Sequence, residues 1–262
     1  MTDADIYLDR KGAIAELVLN RPDKRNALTQ EMWLAIPELL AEVEKDAGLR
    51  VLIVRGAGGA FAAGADIAEF EEVYSTRERA ARYSAAVAAA LDGLAAFPLP
   101  TVAKITGPCV GGGCGLALAC DLRFATEASR FGITPAKLGL VYTLNDTKRL
   151  IDAVGPSNAK DILFSGRLVS APEAREMGLV DRVWGEADFE AGLEGWLELV
   201  RAASPHSARV TKSIIRMILS GVDQDTDETK RMFLDAFQGQ DFREGYRAFL
   251  EKRAPRFSGN ES

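Results

Sequence analysis

The sequence predicts an α/β protein, because short apolar strands alternate along the chain with helical segments. Two of the strands, Arg50–Gly56 and Thr101–Thr106, each run into a glycine-rich loop that is followed by a helix. Strand, strand and helix recur at a pace that predicts a right-handed spiral of ββα units. From Asn145 onward the pattern is mostly helical, which predicts a C-terminal helical region.

Local signals set the element boundaries in the first half of the chain. Residues alternate in the N-terminal hairpin, Thr or Asp precedes each predicted helix as a cap, and two prolines follow the longest helix. Pro37 lies inside the first helix and should kink or divide it. The predicted elements are a hairpin at 6–9 and 13–19, a helix from Thr29 to about Lys45, a strand at 51–55, helices at 67–72 and 76–97, and strands at 101–106 and 121–125.

The second half reads as a series of helices, one of which ends just before Gly178. The predicted helices are 145–154, 157–164, 172–177, 187–202, 208–219, 228–237 and 244–253. Their apolar stripes exceed what a single core needs.

Composition and charge bound the class of protein. The chain has 262 residues, which fits one large α/β domain or a domain with a helical extension. A net charge of −6 argues against nucleic acid as a partner, and a polyanionic ligand would need local Lys and Arg side chains. With no signal peptide and no apolar run of about 18 residues, we expect a cytoplasmic protein that does not span a membrane.

Three cysteines, Cys109, Cys114 and Cys120, all lie in the glycine-rich region. An odd number without a leader indicates reduced thiols, interpreted here as small buried side chains. With one histidine and no C-x-x-C pair, we expect no metal site. That histidine, His206, lies in a polar helix-start segment and is interpreted as a surface or capping residue, and no G-x-S-x-G supports a serine triad.

The most informative stretch is 107–121, with five glycines between a strand and a short helix. Such a corner leaves unpaired N–H groups at the positive end of the helix dipole, where an oxygen can approach the bare backbone. A phosphate or a developing oxyanion would suit it. A dinucleotide fold is disfavoured because Gly111, Gly113 and Gly115 do not fit G-x-G-x-x-G and the next strand follows after about two helical turns. Tight packing alone is the remaining alternative.

A second glycine corner, 58–67, follows the strand at 51–55 and ends in Asp66, a helix cap. Two such corners can direct two N–H donors at one carbonyl oxygen, which is the arrangement of an oxyanion hole.

Four motifs in order along nearly the whole chain carry a family resemblance. They are LNRPDKRNAL at 19–28, FAAGADI at 61–67, GGGC at 111–114 and EGYRAFLEKR at 244–253. The sequence resembles the crotonase superfamily of enoyl-CoA hydratases and isomerases. The resemblance implies a crotonase-like spiral core at 1–200, a helical trimerisation region at 201–262, a homotrimer or dimer of trimers, and an acyl-CoA thioester substrate. It implies no tightly bound cofactor, coenzyme A being part of the substrate.

The resemblance also assigns site residues. It implies that the backbone N–H groups of Ala65 and Gly112 polarise the thioester carbonyl. Basic side chains following Pro22 would reach the CoA phosphates, small residues would cradle adenine and pantetheine, and two residues spaced i and i+3 on the last helix would close the site from a neighbouring subunit. These CoA-binding residues are Lys24, Arg25, Ala27, Ala62, Ala63, Asp66, Ile67, Phe249 and Lys252. The alternatives are that Lys24 and Arg25 form only an exposed basic turn, and that Phe249 is a core residue and Lys252 a surface residue.

This sequence departs from the family at the positions of the acid and base that the hydratases use. Their two glutamates fall at Gly115 and Pro135, neither of which titrates. The aspartate of the isomerase branch falls at Thr143, and the Asp–Trp pair of the dehalogenase branch is also absent. Carboxylates that could serve from new positions are Glu69, Glu72 and Asp146, each of which could equally be a solvated or helix-terminal charge.

FGITPAKLGLVY at 131–142 resembles the T-P-A-x-L-G-x-x-Y segment of the methylmalonyl-CoA decarboxylase branch, with Tyr142 at its active-site tyrosine. Loss of CO₂ from a malonyl-type thioester gives the enolate without a base, so two amides and a Tyr O–H would suffice. We therefore favour decarboxylation, with hydration or isomerisation through a relocated acid as the alternative. A packed, non-catalytic Tyr142, and a silent CoA- or RNA-binding scaffold, also remain open.

Overall fold

The computed structural model describes residues 4–257, which form two β-sheets surrounded by ten helices. The strands are β1 (Ile6–Lys11), β2 (Ile14–Leu19), β3 (Val51–Gly56), β4 (Thr101–Ile105), β5 (Pro108–Val110), β6 (Leu122–Thr126), β7 (Arg130–Gly132), β8 (Leu168–Ser170) and β9 (Arg182–Trp184). The helices are α1 (Gln30–Val43), α2 (Phe70–Val73), α3 (Arg77–Ala96), α4 (Gly112–Ala119), α5 (Leu144–Ser165), α6 (Ala171–Glu176), α7 (Phe189–Ala202), α8 (Pro205–Leu219), α9 (Asp227–Ala236) and α10 (Gln240–Leu250).

Strand order confirms the predicted α/β class. The larger sheet has the order β1-β2-β3-β4-β6-β9 and is parallel except for the predicted N-terminal hairpin. The smaller sheet has the order β5-β7-β8. Consecutive strands β4 to β7 alternate between the two sheets, so each turn of the chain adds one strand to each. Helices α8 to α10 form the C-terminal helical region.

Both faces of the larger sheet are buried, as expected for a mainly parallel sheet. Leu52 and Val54 of β3 face a large core that also contains Trp33 of α1. Val51 and Ile53 face the opposite side, because successive strand residues point to opposite faces. There they pack against three buried apolar residues of α7, namely Phe189, Leu193 and Leu197.

The predicted caps of the first two long helices are confirmed. Thr29 accepts a hydrogen bond from Met32 N–H, and Thr76 accepts one from Arg79 N–H. The predicted division at Pro37 is wrong, because α1 runs continuously from Gln30 to Val43. Burial of the α1 face against the core offsets the hydrogen bond that the proline cannot donate.

The break predicted between the helices at 145–154 and 157–164 is confirmed: α5 consists of two helical segments that meet at a kink, where Gly155 has φ +73° and Pro156 follows. The last helix differs most from the sequence interpretation. Helix α10 begins at Gln240, four residues earlier than predicted, because Gly239 caps it. It ends at Leu250, so the predicted placement of Lys252 on the helix face is wrong.

The termination of α10 has a clear cause. Lys252 has a left-handed backbone (φ +54°), and Arg253 N–H bonds the carbonyl of Ala248. A hydrogen bond from a residue beyond the helix to a carbonyl of its last turn is a common way for a helix to end.

The three cysteines are buried and unpaired, as predicted. Burial raises the pKa of Cys120 to about 12, which keeps its thiol protonated. Within residues 4–257, no helix is both long and apolar enough to cross a membrane, and no group of three or more His, Cys, Asp or Glu residues could hold a metal ion.

Candidate active site

The two glycine corners are direct neighbours. Ala62 N–H donates to Pro108 O at 3.0 Å, and Val110 N–H donates to Ala62 O at 2.9 Å. These bonds form a parallel bridge between Ala62 and Cys109, which adds the first corner to the edge of β5. The prediction that both corners border one site therefore has a structural basis in backbone pairing.

Ala65 is held by a second parallel bridge, to Leu28. Leu28 N–H donates to Gly64 O and Asp66 N–H donates to Leu28 O, both at 2.8 Å. In this bridge Leu28 uses both of its own backbone groups, whereas Ala65 uses neither its N–H nor its carbonyl. The Ala65 amide is therefore not bound to Leu28, and a Cβ built on Gly112 would lie 3.5 Å from Ala65 N.

Gly112 is the first residue of α4, so its N–H has no acceptor within the helix. The preceding Gly111 makes the turn at φ +54°, and its own N–H is bound to Gly132 O at 2.8 Å. Neither Ala65 N–H nor Gly112 N–H donates any of the backbone hydrogen bonds found among residues 4–257. Two unpartnered amides thus lie side by side at the positive end of a helix dipole.

The backbone requires glycine at one of the two positions 113 and 115 and not at the other. A Cβ on Gly113 would lie 2.5 Å from Ala62 O, so this position exists to let the two corners touch. Gly115 has more room, since its Cβ would lie 3.7 Å from Leu91 Cδ1 and 3.9 Å from Tyr142 Oη. The tight-packing interpretation therefore holds at Gly113, whereas a methyl group at buried Gly115 would make ordinary van der Waals contacts with Leu91 and the Tyr142 hydroxyl.

Tyr142 reaches the second corner from the segment before α5. Its hydroxyl donates a 2.9 Å hydrogen bond to Gly111 O, and its half-buried ring packs against the main core. Burial raises the pKa of Tyr142 well above its ordinary value, and the nearby Cys114 and Asp146 add to the increase. The hydroxyl is therefore a protonated donor at neutral pH.

The three carboxylates considered as relocated acids are all engaged elsewhere. Glu69 accepts a 2.8 Å bond from Gln30 N–H at the start of α1. Glu72 pairs with Arg79 at 3.1 Å on an exposed face. Asp146 accepts from Thr143 Oγ1 at 2.7 Å and from Arg149 at 3.0 Å. Gly115 and Pro135 bring no ionisable group to the site.

The proposed phosphate-binding residues lie on an exposed loop. Lys24 ends a short 3₁₀ turn, and Arg25 adopts the left-handed conformation at φ +50°. Asn26, also left-handed at φ +55°, is fully buried beneath them. Its amide donates to the carbonyls of Ala57 and Ala60 at 2.9 and 2.7 Å. The sequence reasoning missed this anchor, although asparagine is one of the few non-glycine residues that tolerates this conformation.

The CoA-binding residues predicted in and near the first corner differ in their exposure. Ala63 is exposed and Ile67 is 63% exposed, so both are accessible. Ala62 is fully buried and both its backbone groups are used, which leaves it within the junction between the corners. The carbonyl of half-buried Ala27 and the carboxylate of Asp66 are both bound to Arg21. Contact of these residues with CoA stays a prediction.

Phe249 and Lys252 lie at the C-terminal end of the chain. Phe249 is 82% exposed, and Lys252 follows the end of α10. Within residues 4–257, no hydrogen bond or ion pair joins either residue to the loop of Lys24 and Arg25. Their predicted role in a neighbouring subunit's CoA site stays a prediction.

Comparison with known proteins agrees with the fold. The family model for enoyl-CoA hydratase/isomerase matches residues 9–260. A Thermus thermophilus relative whose name refers to enoyl-CoA hydratase is 40% identical over 94% of this chain and 98% of its own, and crotonyl-CoA hydratase of Syntrophomonas wolfei is 31% identical over 98% and 99%. A solved Hyphomonas neptunium structure whose name refers to the same family matches with a TM-score of 0.95 at 45% identity, covering 98% of each chain.

The fold and these comparisons therefore define an α/β enzyme of the acyl-CoA thioester class. The chain belongs to the enoyl-CoA hydratase/isomerase family, within the crotonase superfamily.

Proposed function

We propose that this enzyme stabilises a thioester enolate between Ala65 N–H and Gly112 N–H, and that it decarboxylates a malonyl-type acyl-CoA. The observation that carries the proposal is the Tyr142 hydroxyl, which lies beside Gly115 where no carboxylate is present. A pocket with two amide donors, one phenol and no free carboxylate is suited to a reaction that needs no base.

The bond changes are simple. The bond between the substrate carboxylate carbon and the α-carbon breaks, CO₂ leaves, and the electron pair moves onto the thioester oxygen as an enolate. Two amide donors stabilise that oxygen most strongly when it is negative. One proton then adds to the α-carbon, giving the shortened acyl-CoA.

Tyr142 is placed to act at the second step. Its raised pKa keeps the hydroxyl protonated, and the enolate carbon is a much stronger base than a phenolate. If Tyr142 releases its hydrogen bond to Gly111 O, it can donate that proton to the α-carbon and recover one from solvent, or orient the departing carboxylate by hydrogen bonding.

Recognition of the CoA part follows from charge. Lys24 and Arg25 are exposed cations on a chain whose net charge is −6. They would bind the CoA phosphates through charge-assisted hydrogen bonds, while Ala63 and Ile67 line the path to the acyl site. Ala27, Ala62 and Asp66 would contribute from the two loops, and Phe249 and Lys252 from a neighbouring subunit.

We propose that the protein assembles as a homotrimer or a dimer of trimers. In this assembly residues 1–200 form the core and residues 201–262 the trimerisation region, of which the last five lie outside the described structure. Helices α9 and α10 and the turn between them leave Phe233, Phe237, Phe242 and Tyr246 about half exposed or more, in a chain of ring contacts 5.2 to 6.3 Å between centroids. Such contiguous apolar surface is typical of an interface. Light scattering behind size-exclusion chromatography tests it, and a monomeric mass would overturn it.

The reaction is tested by incubating the purified protein with malonyl-CoA and methylmalonyl-CoA in one arm and crotonyl-CoA in the other. We expect CO₂ and the shortened acyl-CoA from the first arm, separated by chromatography. The names of the relatives favour hydration as the second candidate. Fast hydration of crotonyl-CoA without decarboxylation would establish that candidate instead, and tight acyl-CoA binding without any turnover would indicate a silent scaffold.

A further inference from the structure

Arg21 connects the CoA-binding loop to the residue that follows Ala65. Its Nη1 donates to Ala27 O at 2.7 Å and contacts Asp66 Oδ2 at 2.9 Å. The side chains of Arg21 and Asp66 are 16% and 17% exposed, so the pair is largely shielded from water. One guanidinium nitrogen thus ties the loop of Lys24 and Arg25 to the first glycine corner.

Both carboxylate oxygens and the backbone N–H of Asp66 have partners. Its second oxygen accepts from Ala68 N–H at 3.1 Å, and its backbone N–H is bound to Leu28 O. Burial alone would raise the pKa of Asp66, but the hydrogen bonds from Arg21 and Ala68 outweigh burial and lower it. A carboxylate bound on both oxygens fixes the Asp66 side chain, and together with the bond from Asp66 N–H to Leu28 O it restrains the backbone of Ala65, which precedes it.

Charge gives Arg21 a second effect. An uncompensated carboxylate one residue from the donor would oppose negative charge developing on a bound oxygen, because Coulomb repulsion is poorly screened in a shielded site. The guanidinium neutralises that carboxylate at 2.9 Å. Arg21 therefore both orients the neighbouring peptide and offsets the repulsion between the Asp66 carboxylate and negative charge on a bound oxygen.

We propose that Arg21 is a positioning residue for the Ala65 amide, so that engagement of the CoA-binding loop and alignment of the acyl carbonyl depend on the same side chain. This inference rests on the proposed role of Ala65 N–H in binding a thioester oxygen. It assigns the Asp66 carboxylate to the alignment of the donor, which differs from direct contact with CoA.

The test uses the carbonyl stretch of [1-¹³C]butyryl-CoA, a saturated thioester, bound to the intact protein and followed by isotope-edited infrared difference spectroscopy. In the wild type, bonding to two amides lowers the stretching frequency relative to free butyryl-CoA. In Arg21→Gln we expect a clearly smaller shift of the carbonyl stretch. We also expect a 10- to 100-fold lower kcat for the decarboxylation proposed above, since misalignment of about 1 Å lowers a rate by about that factor. Arg21→Lys, which keeps the charge with a shorter reach, should be intermediate.

Arg55→Gln is the matched control. Arg55 pairs with Glu16 at 2.6 Å with similar shielding (24% and 13% exposed), on the sheet face that packs against α7. It should lose stability without changing the carbonyl shift. A full wild-type shift in both folded Arg21 variants would overturn the inference. Absence of a shift in the wild type would instead refute the proposed oxyanion hole, so the two failures are distinguishable.

Discussion

The Tyr142 hydroxyl and the Gly111 carbonyl are joined by a 2.9 Å hydrogen bond, directly before the unpartnered amide of Gly112. Gly111 makes the turn that aims this amide, and its N–H is held by Gly132 O. Tyr142 therefore supports the turn from the carbonyl side, and the same hydroxyl would lie 3.9 Å from a Cβ at position 115. The side chain that holds the turn is thus also the one to which the proposed function assigns chemistry.

Replacing Tyr142 with Phe should lower the decarboxylation rate by about 100-fold or more, which is the usual contribution of a proton donor. The free energy of unfolding should fall by only about 1 kcal/mol, for one lost hydrogen bond. Steady-state kinetics and urea unfolding measure the two effects. Tyr7→Phe on β1 is the control, and equal rates for the two variants would remove Tyr142 from the mechanism.

Alanine substitutions at Gly113 and Gly115 should have opposite effects. Gly113→Ala should cost about 3 kcal/mol, because its methyl would lie 2.5 Å from Ala62 O. Gly115→Ala should stabilise α4 by about 0.5–1 kcal/mol, yet reduce turnover by about 10-fold or more because the methyl narrows the space before the Tyr142 hydroxyl. Thermal unfolding and kcat on each variant decide this, and a fully active Gly115→Ala would contradict the proposed acyl position.

Asn26→Asp should destabilise the protein by about 3 kcal/mol or more. The carboxylate can still accept from Arg21 N–H, but it cannot donate to the carbonyls of Ala57 and Ala60, and it adds a buried charge. The loss should shrink as pH falls toward about 4, because burial raises the pKa of the new carboxyl and it takes up a proton, regaining one donor, before the unfolded chain does. Asn158→Asp on α5, where a single bond to Val154 O at 3.0 Å is lost, is the control in urea unfolding, and equal losses would contradict the anchoring role.

Stability should decline at alkaline pH because of Tyr83. Burial raises its pKa to about 12, whereas the unfolded chain titrates near 10. Above about pH 10 the unfolded state therefore holds fewer protons than the folded state, so the free energy of unfolding falls as pH rises toward 12. Calorimetry from about pH 9 to about pH 11.5 should show a shallower decline in Tyr83→Phe, and parallel curves would refute the assignment.

Local sequence signals were sufficient for most of the fold. Caps such as Thr29 and Thr76 and the alternation in the hairpin act within a few residues, so single-sequence reasoning could place them. That the two glycine corners share one site was also predicted, but the pairing of Ala62 with Cys109 and the close approach of Gly113 to Ala62 are seen only in the structure. The caps and the hairpin depend on residue type and spacing alone.

What the sequence could not show depends on distant partners. Arg21 finds Asp66 45 positions away, and Asn26 finds Ala57 and Ala60 across the sheet edge. The continuity of α1 through Pro37 likewise depends on tertiary burial, which outweighs local propensity. The helical face predicted for Lys252 failed because the backbone leaves the helix at Leu250.

The closeness of the Tyr142 hydroxyl to position 115, where a Cβ would lie 3.9 Å from it, also limits how this pocket could be redesigned. A glutamate grafted at 115 would share its surroundings with the phenol, and proline stands at 135. If the base-free chemistry proposed above is correct, conversion to water addition would require space beside the phenol and carboxylates at both positions, so these changes would have to be made together.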